Sequence, residues 1–131
     1  MTPARLVHHE LCFGCGRTNL FGLLMDLERT GEGAVRGRGF VKQDHQGAVP
    51  GAAHEGIVAA ALSEAMAFAV RGAMRPTAIY VELEAPVPVG AFLEVVAEAV
   101  GTEGGDREAT ATARVGDQRV AAARGTYRPA A

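Results

Sequence analysis

The fold is decided by residues 54–72, which read HEGIVAAALSEAMAFAVRG. This segment is dense in Ala, Leu, Met and Glu and contains no proline, and its last residue, Gly72, is a helix stop signal. It therefore predicts one long helix. Apolar side chains lie on nearly every side of the predicted helix. A helix without a polar face is buried among other elements instead of lying on the surface.

Strand patterns lie on both sides of this helix. Before it, residues 21–28 and 34–41 predict two strands joined by a turn at residues 31–33. After it, further segments predict strands in an antiparallel meander: residues 77–84, 92–100, 107–115 and 118–127. The pattern is clearest where Ala and Val alternate with Glu, Thr and Arg from residue 107 onward. This order predicts an α+β fold in which a sheet wraps around a single helix.

Length and composition predict one domain over residues 1–131, with an irregular arm at residues 1–19. The net charge is −2, from 13 basic and 15 acidic residues, and aromatic residues make up 5% of the chain, which is unlike a nucleic-acid-binding surface. No apolar run reaches the roughly 20 residues of a membrane-spanning helix. Residues 1–10 lack the apolar core of a signal peptide. We therefore expect a cytoplasmic protein with no nucleic-acid or membrane partner.

The arm contains the two cysteines of the chain, Cys12 and Cys15. One C-x-x-C pair cannot build a disulfide framework and is typical of free thiols in a reducing compartment, although a local disulfide stays open. Together with His8 and His9, the pair can supply up to four zinc ligands. Structural zinc usually draws on two well-separated ligand pairs, whereas these residues are close together in sequence. Turn and packing roles are therefore favoured, and no metal site is predicted.

The middle of the helix carries two polar side chains, Ser63 and Glu64. Burying an ionised carboxylate without partners costs several kcal/mol or raises its pKa. The helical neighbours of Glu64 are alanines and a phenylalanine, which cannot pair with it. Unless Glu64 lies on a narrow exposed strip, its partner is water, another element, a second subunit or a substrate. The Ser63 hydroxyl can instead be satisfied by the helix backbone.

The start of the helix is a candidate for binding a reactive oxygen. The first N–H groups of a helix have no internal acceptor and carry a partial positive charge, so they can bind a carbonyl oxygen that becomes anionic during acyl transfer. Gly56 lets a ligand approach the backbone, and His54 can donate a hydrogen bond or cap the helix. The preceding loop, residues 42–53, is long enough to serve a site. His45 in that loop is expected to be solvated, though close enough to contact a substrate.

Four runs of sequence occur together in this order: LCFGCGRTNLFGL at residues 11–23, GAVPGAAHEGIVAAALSEAMAFAV at 47–70, YVELEAPVPVGAFLEVVAEAV at 80–100 and ATATARVGDQRVAAARGTY at 109–127. They resemble the hotdog-fold acyl-CoA thioesterases of the PaaI-like branch. In that family a Cys-Phe-x-Cys-Gly segment precedes a central helix that opens with His-Gly-Gly and carries an acid near its middle. A strand ending in Pro-Val-Pro-x-Gly and a terminal hairpin follow.

The resemblance implies a hotdog fold, with an antiparallel sheet of five to six strands around one long central helix. It implies a homodimer or homotetramer paired through its sheets, with active sites at the subunit boundary. The implied reaction is hydrolysis of an acyl-CoA thioester to free acid and CoA, with CoA as part of the substrate and no retained cofactor. Helix N–H groups would hold the carbonyl, and a carboxylate of the facing subunit would attack it or activate water. In the preceding loop, Gln46 matches a side chain that lies near the thioester.

The chain departs from the family pattern at two positions. Glu55 replaces the first Gly of the helix motif, which keeps the N–H but adds a charge beside the pocket. Ser63 stands where the usual acid is, and Glu64 is rotated by roughly 100° around the helix. The catalytic candidates are therefore Glu64, Ser63 and His54, and the substrate-binding candidates are Gln46, Glu55 and Gly56. Because the usual acid is missing, a protein that binds acyl-CoA without hydrolysing it is the alternative.

Overall fold

A computed structural model describes residues 4–103 and 105–130 of the protein. The elements follow in the order β1 (Asp26–Gly31), β2 (Ala34–Phe40), a short 3₁₀ helix (Gln43–His45), α1 (Glu55–Val70), β3 (Met74–Leu83), β4 (Phe92–Glu103), β5 (Asp106–Val115) and β6 (Gln118–Pro129). Residues 1–3 of the predicted arm, and residues 104 and 131 of the predicted domain, lie outside the described part. Within that part, no helix is long and apolar enough to cross a membrane.

One antiparallel sheet contains all six strands in the order β1-β2-β4-β5-β6-β3. This order corrects the predicted meander, because β3 pairs with β6 instead of β4 and forms an edge of the sheet. The connection between β3 and β4, residues 84–91, contains two prolines and does not form a tight hairpin. It bonds instead to the loop before the helix, where the Ala53 N–H donates to the Val87 carbonyl at 2.8 Å. The strand that follows this connection, β4, pairs with β2.

The first strand starts later than predicted. It was expected over residues 21–28 and runs instead over Asp26–Gly31. Leu24 has a φ of 49°, in the left-handed region, which interrupts the extended chain. The next residue bonds to the arm, where the Met25 N–H donates to the Gly14 carbonyl at 2.8 Å. The residues just before β1 therefore attach the arm to the body of the protein.

α1 packs against the inner face of the sheet because that face is lined by small side chains. Along β5, buried and exposed residues alternate as predicted. The buried alanines of β5 and β6 are Ala109, Ala111, Ala113, Ala121 and Ala123. The side chains that the helix buries include Val58, Ala61, Leu62, Ala65, Met66 and Ala69. The long buried helix predicted from the sequence is therefore confirmed.

The observed helix is slightly shorter than the predicted range, residues 54–72. His54 is its N-cap, and Arg71 ends it with a φ of 58°, which is not helical. Arg29 donates to the Phe68 carbonyl at 3.0 Å, and Arg107 donates to carbonyls at the end of the helix. These cations satisfy carbonyls that have no partner within the helix and complement its negative end.

Candidate active site

The start of α1 is fixed by hydrogen bonds to His54. Its Nδ1 accepts a hydrogen bond from the Gly56 N–H at 2.8 Å, and its carbonyl accepts one from the Ile57 N–H at 2.9 Å. The His54 N–H in turn donates to the His45 carbonyl at 2.8 Å. His54 therefore caps the helix, which was one of its two expected roles. The Gly56 N–H, expected to bind a substrate oxygen, already has an acceptor.

Glu55 supplies both a backbone donor and an exposed carboxylate. Since the next N–H groups of the first turn bond to His54, the Glu55 N–H is the one without an acceptor among the described residues. Its side chain is 66% exposed, and its Oε1 lies 3.7 Å from His54 Nε2. Because Nδ1 of the ring accepts a hydrogen bond, the proton of neutral His54 is on Nε2, on the side of Glu55.

Gln46 lies next to the helix start, but its amide group is used within its own loop. Its Nε2 donates to the Gln43 carbonyl at 2.8 Å, and its Oε1 accepts from the Gly51 N–H at 2.7 Å. The backbone of Gln46 also pairs with Ala53, the residue before the N-cap. Gln46 therefore braces the loop that carries the helix start.

His45 is buried instead of solvated, which corrects the expectation from the sequence. Its side chain is 3% exposed, and its Nδ1 accepts from the Lys42 N–H at 3.3 Å. Its Nε2 is buried without a hydrogen-bond partner in the described part of the chain. The carbonyl of His45 accepts the hydrogen bond from the His54 N–H, so the buried His45 fixes the position of the helix start.

A groove of about 380 Å³ runs along the start of α1. It is bounded by the preceding loop, the first turn of the helix and the end of β3, and most of its lining side chains are apolar. Its two carboxylates are Glu55 and Glu84. Arg119 binds both oxygens of Glu84, at 2.8 and 2.6 Å. Of the two carboxylates, Glu55 is thus the one that has no arginine or lysine partner among the described residues.

Glu64 is held by the N-terminal arm, at a separate place on α1. Its Oε2 lies 2.9 Å from His8 Nδ1 and 3.3 Å from Cys12 Sγ. The ring of His8 is stacked on Phe68, one helical turn further, with 3.9 Å between ring centroids. The Glu64 side chain is 12% exposed. Of the partners that the sequence left open, another element of the same chain is therefore the one observed.

The charges of this cluster depend on one another. Burial alone would raise the pKa of the Glu64 carboxyl, but hydrogen bonds with His8 and Cys15 hold that pKa below its usual range. The hydrogen bond to Glu64 raises the pKa of His8. Burial, followed by the nearby Glu64, raises the pKa of the Cys15 thiol. Glu64 therefore favours the protonated forms of both His8 and Cys15.

Ser63 lies on the side of α1 that faces away from the sheet. Ala59, Ala60 and Ala67 share this side and are half-buried like Ser63, whereas the positions toward the sheet are fully buried. Glu64 is rotated by about 100° from Ser63 and faces the arm. The two polar residues of the helix therefore have different surroundings, one open and apolar, the other occupied by the arm.

The candidates thus fall into two groups along the chain. His54, Glu55 and Gly56 meet at the helix start, with Gln46 behind them, whereas Glu64 is nine residues beyond Glu55. At 1.5 Å per residue this separates the two carboxylate-bearing positions by about 13.5 Å along the helix axis. The structure does not bring Glu64 to the helix start.

No family model matches the sequence, and no curated protein does. Solved structures do match. A thioesterase superfamily protein has a TM-score of 0.83 at 21% identity, over 91% of this chain and 60% of that one. A point mutant of the phenylacetic acid degradation protein PaaI from Thermus thermophilus has a TM-score of 0.75 at 23% identity, over 80% and 92% of the two chains. This chain has the hotdog fold.

The hotdog prediction is therefore confirmed, with six strands around one helix in the described residues. A phenylacetic acid degradation-related protein from Ralstonia eutropha JMP134 has the same fold, with a TM-score of 0.71 at 15% identity over 80% of this chain and 84% of that one. These neighbours bear the names of the proteins that the sequence motifs resemble. This hotdog chain spans 60% of the length of the thioesterase superfamily protein. At such identities the likeness establishes the fold.

The link between the arm and the hotdog helix was missed in the sequence. The sequence places the C-x-x-C pair and His8 close together in the chain, but no local pattern connects Glu64 to them. One signal was present, since Glu64 needed a partner and the arm contained polar groups without an assigned role. His9, named beside His8 as a ligand candidate, is exposed, and its Nδ1 accepts from the Leu11 N–H at 3.3 Å.

Proposed function

We propose that this hotdog protein hydrolyses acyl-CoA thioesters. The observation that carries the proposal is the groove at the start of α1. It combines apolar walls with an exposed carboxylate and with a helix N–H that has no acceptor among the described residues, both from Glu55. Apolar walls suit an acyl chain or the pantetheine arm, and a helix start stabilises negative charge on a carbonyl oxygen. The PaaI and thioesterase names of the structural neighbours support the same reaction class.

The proposed chemistry uses water as the nucleophile. The thioester oxygen binds at the Glu55 N–H, while the Glu55 carboxylate takes a proton from the attacking water. The new C–O bond forms a tetrahedral intermediate, and the C–S bond then breaks. The thiolate of CoA leaves with the proton held by Glu55, which restores the carboxylate and releases free acid and CoA. The protein supplies all of these groups, so the proposal includes no cofactor.

Glu55 is favoured over Glu64 as the base because of what surrounds each carboxylate. The Glu55 side chain is 66% exposed in the groove, whereas that of Glu64 is 12% exposed and bonded to His8. Ser63 stands on the open side of the helix, where its hydroxyl can hold the attacking water for the facing subunit. This proposal gives Glu55 the role of base, for which the sequence offered Glu64 beside the family's acid position at Ser63.

The proposed assembly is a homodimer, or a homotetramer of such dimers, that pairs through β3. Ile79, Val81 and Leu83 share the inner face of this edge strand, and the exposures of Ile79 and Leu83 are 40% and 54%. An edge strand with exposed apolar side chains favours pairing with another chain. Since Leu83 also lines the groove, a partner at β3 would complete the active site. With a CoA thioester as substrate, the expected compartment is the cytoplasm.

The second candidate function is acyl-CoA binding without hydrolysis. It is favoured by Ser63 at the position of the usual acid and by the engagement of Glu64 with the arm. The same groove would then hold the thioester, and no group would activate water.

Turnover assays separate these functions. The purified protein is given acetyl-, hexanoyl-, palmitoyl- and phenylacetyl-CoA with a thiol-reactive dye, and CoA binding is measured by calorimetry. We expect release of free CoA above background with at least one substrate. Tight binding of CoA thioesters without turnover would establish the binding function instead. If neither turnover nor binding is found, both proposals are wrong.

A further inference from the structure

We infer that His8, Cys12, Cys15 and Glu64 bind a zinc ion that fastens the N-terminal arm to α1. One ligand atom from each residue lies within 4.8 Å of all the others. Three of the residues come from the arm and the fourth from the middle of the helix, 49 positions or more away in sequence. The proposed thioester hydrolysis uses none of these four side chains. Glu64 was considered there only as an alternative to Glu55 as the base.

Three of the distances between ligand atoms are close to those of a tetrahedral site. With bonds of about 2.3 Å to sulfur and about 2.1 Å to nitrogen or oxygen, ligand atoms around a tetrahedral zinc are about 3.4 to 3.8 Å apart. His8 Nδ1 lies 3.8 Å from Cys12 Sγ and 3.6 Å from Cys15 Sγ. Cys12 Sγ lies 3.3 Å from Glu64 Oε2. The His8 to Glu64 distance, 2.9 Å, is shorter because these two groups hydrogen bond directly.

The donor set selects the metal. Two thiolates and an imidazole are ligands for zinc and similar transition metals, whereas magnesium and calcium prefer oxygen ligands. The carboxylate of Glu64 is the remaining zinc-binding group. Four protein ligands fill a tetrahedral coordination sphere and leave no position for water or substrate. Such a closed site is structural instead of catalytic.

The backbone of the arm is shaped around this cluster. Gly16 is in such close contact with the chain that an added Cβ would lie 2.3 Å from the Glu10 carbonyl oxygen, so the loop that carries the cysteines can turn tightly only with glycine there. The His8 N–H donates to Cys15 Sγ at 3.1 Å, a bond that stabilises a thiolate ligand. Stacking on Phe68 fixes the His8 ring with Nδ1 toward the other ligands. The ligands are therefore held in position by the backbone of the arm and by Phe68.

Metal analysis of the unmodified chain is the first test. The protein is produced without a histidine tag, purified under reducing conditions without chelator, and its zinc is measured by mass spectrometry. We expect about one zinc per chain, as for a closed four-ligand site. Zinc is then removed with a chelator and replaced by Co²⁺, which should show the visible bands of tetrahedral cobalt and charge-transfer bands from thiolate. Absence of both bound zinc and these cobalt bands would overturn the proposal.

Variants locate the site. H8A, C12S, C15S and E64Q should each lose most of the bound zinc, and the matched control H9A should retain it. Equal losses in H8A and H9A, or full zinc retention in a C12S and C15S double variant, would exclude this site. Circular dichroism identifies any variant that has not folded. If a variant does not fold, the zinc and cobalt measurements on the wild-type protein still test the proposal. These experiments measure bound zinc and not CoA release, so their result is independent of the proposed hydrolase activity.

Chelation tests the structural role. Removing zinc from the wild-type protein should lower its melting temperature and expose the arm to protease, with no further effect of chelator on C15S. An unchanged melting temperature in wild-type protein shown to have lost its zinc would exclude a fastening role.

Discussion

The carboxyl group of Glu64 occupies the space beside the α-carbon of Gly14. A Cβ added to Gly14 would lie 2.4 Å from Glu64 Cδ and 2.6 Å from Oε1. Gly14 stands between the two cysteines of the arm, and its carbonyl accepts the Met25 N–H. The absence of a side chain at residue 14 therefore allows the arm to close over the helix carboxylate.

Replacing Gly14 with alanine should loosen the arm. The added methyl group requires the Glu64 side chain to move away from His8, and overpacking of this kind costs about 1 to 3 kcal/mol. We expect a lower free energy of unfolding in urea and faster proteolysis near residue 14. Gly31→Ala is the matched control, because a Cβ there makes an ordinary 3.8 Å contact with Ala34. Equal stabilities of the two variants would contradict this account of the contact.

Replacing Glu55 with glutamine should remove the proposed base while keeping the size of the side chain. General-base catalysis contributes about 10²- to 10⁴-fold, so we expect kcat to fall by at least about a hundredfold. Glu32→Gln, at an exposed carboxylate between β1 and β2, should leave kcat unchanged. If E55Q retains full kcat while E64Q loses it with an unchanged melting temperature, the base is Glu64 and our assignment is wrong.

Replacing His54 with alanine should destabilise the start of α1. The substitution removes the Nδ1 acceptor that holds the Gly56 N–H, and loss of an N-cap costs about 1 kcal/mol. His54→Asn keeps a side-chain acceptor at the cap and should recover most of the stability. Thermal unfolding compares the three proteins. An asparagine variant no more stable than the alanine variant would show that capping is not what His54 contributes.

Placing lysines on the inner face of β3 should prevent the proposed pairing of subunits. In Ile79→Lys with Leu83→Lys, two charges replace apolar side chains that the partner would cover. We expect a monomer in sedimentation or light-scattering measurements, together with loss of thioester hydrolysis. Val96→Lys is the control, since Val96 is 50% exposed on β4, away from this edge. A lysine double variant that remains dimeric would exclude β3 as the interface.

The sequence by itself determined the elements whose signals are local. Side chains two to four residues apart decide whether a segment is a helix or a strand and which face it buries, so α1 and the alternation of β5 were predictable. The first strand was misplaced because Leu24 adopts a left-handed conformation that no local pattern indicated. The helix-start residues were also found from sequence, since a helix N-terminus has the same free N–H groups wherever it lies.

Only the tertiary structure decided which distant segments meet. β3 lies beside β6, and Glu64 lies against His8, 56 residues away, because the packing of the sheet and arm brings them together. The same holds for the Gly56 N–H, whose availability depends on the rotamer of His54. Periodicity reports the environment of a residue, such as buried or exposed, but not the identity of its partner. For this chain, only the tertiary structure shows that the Glu64 carboxylate is held by the arm through His8.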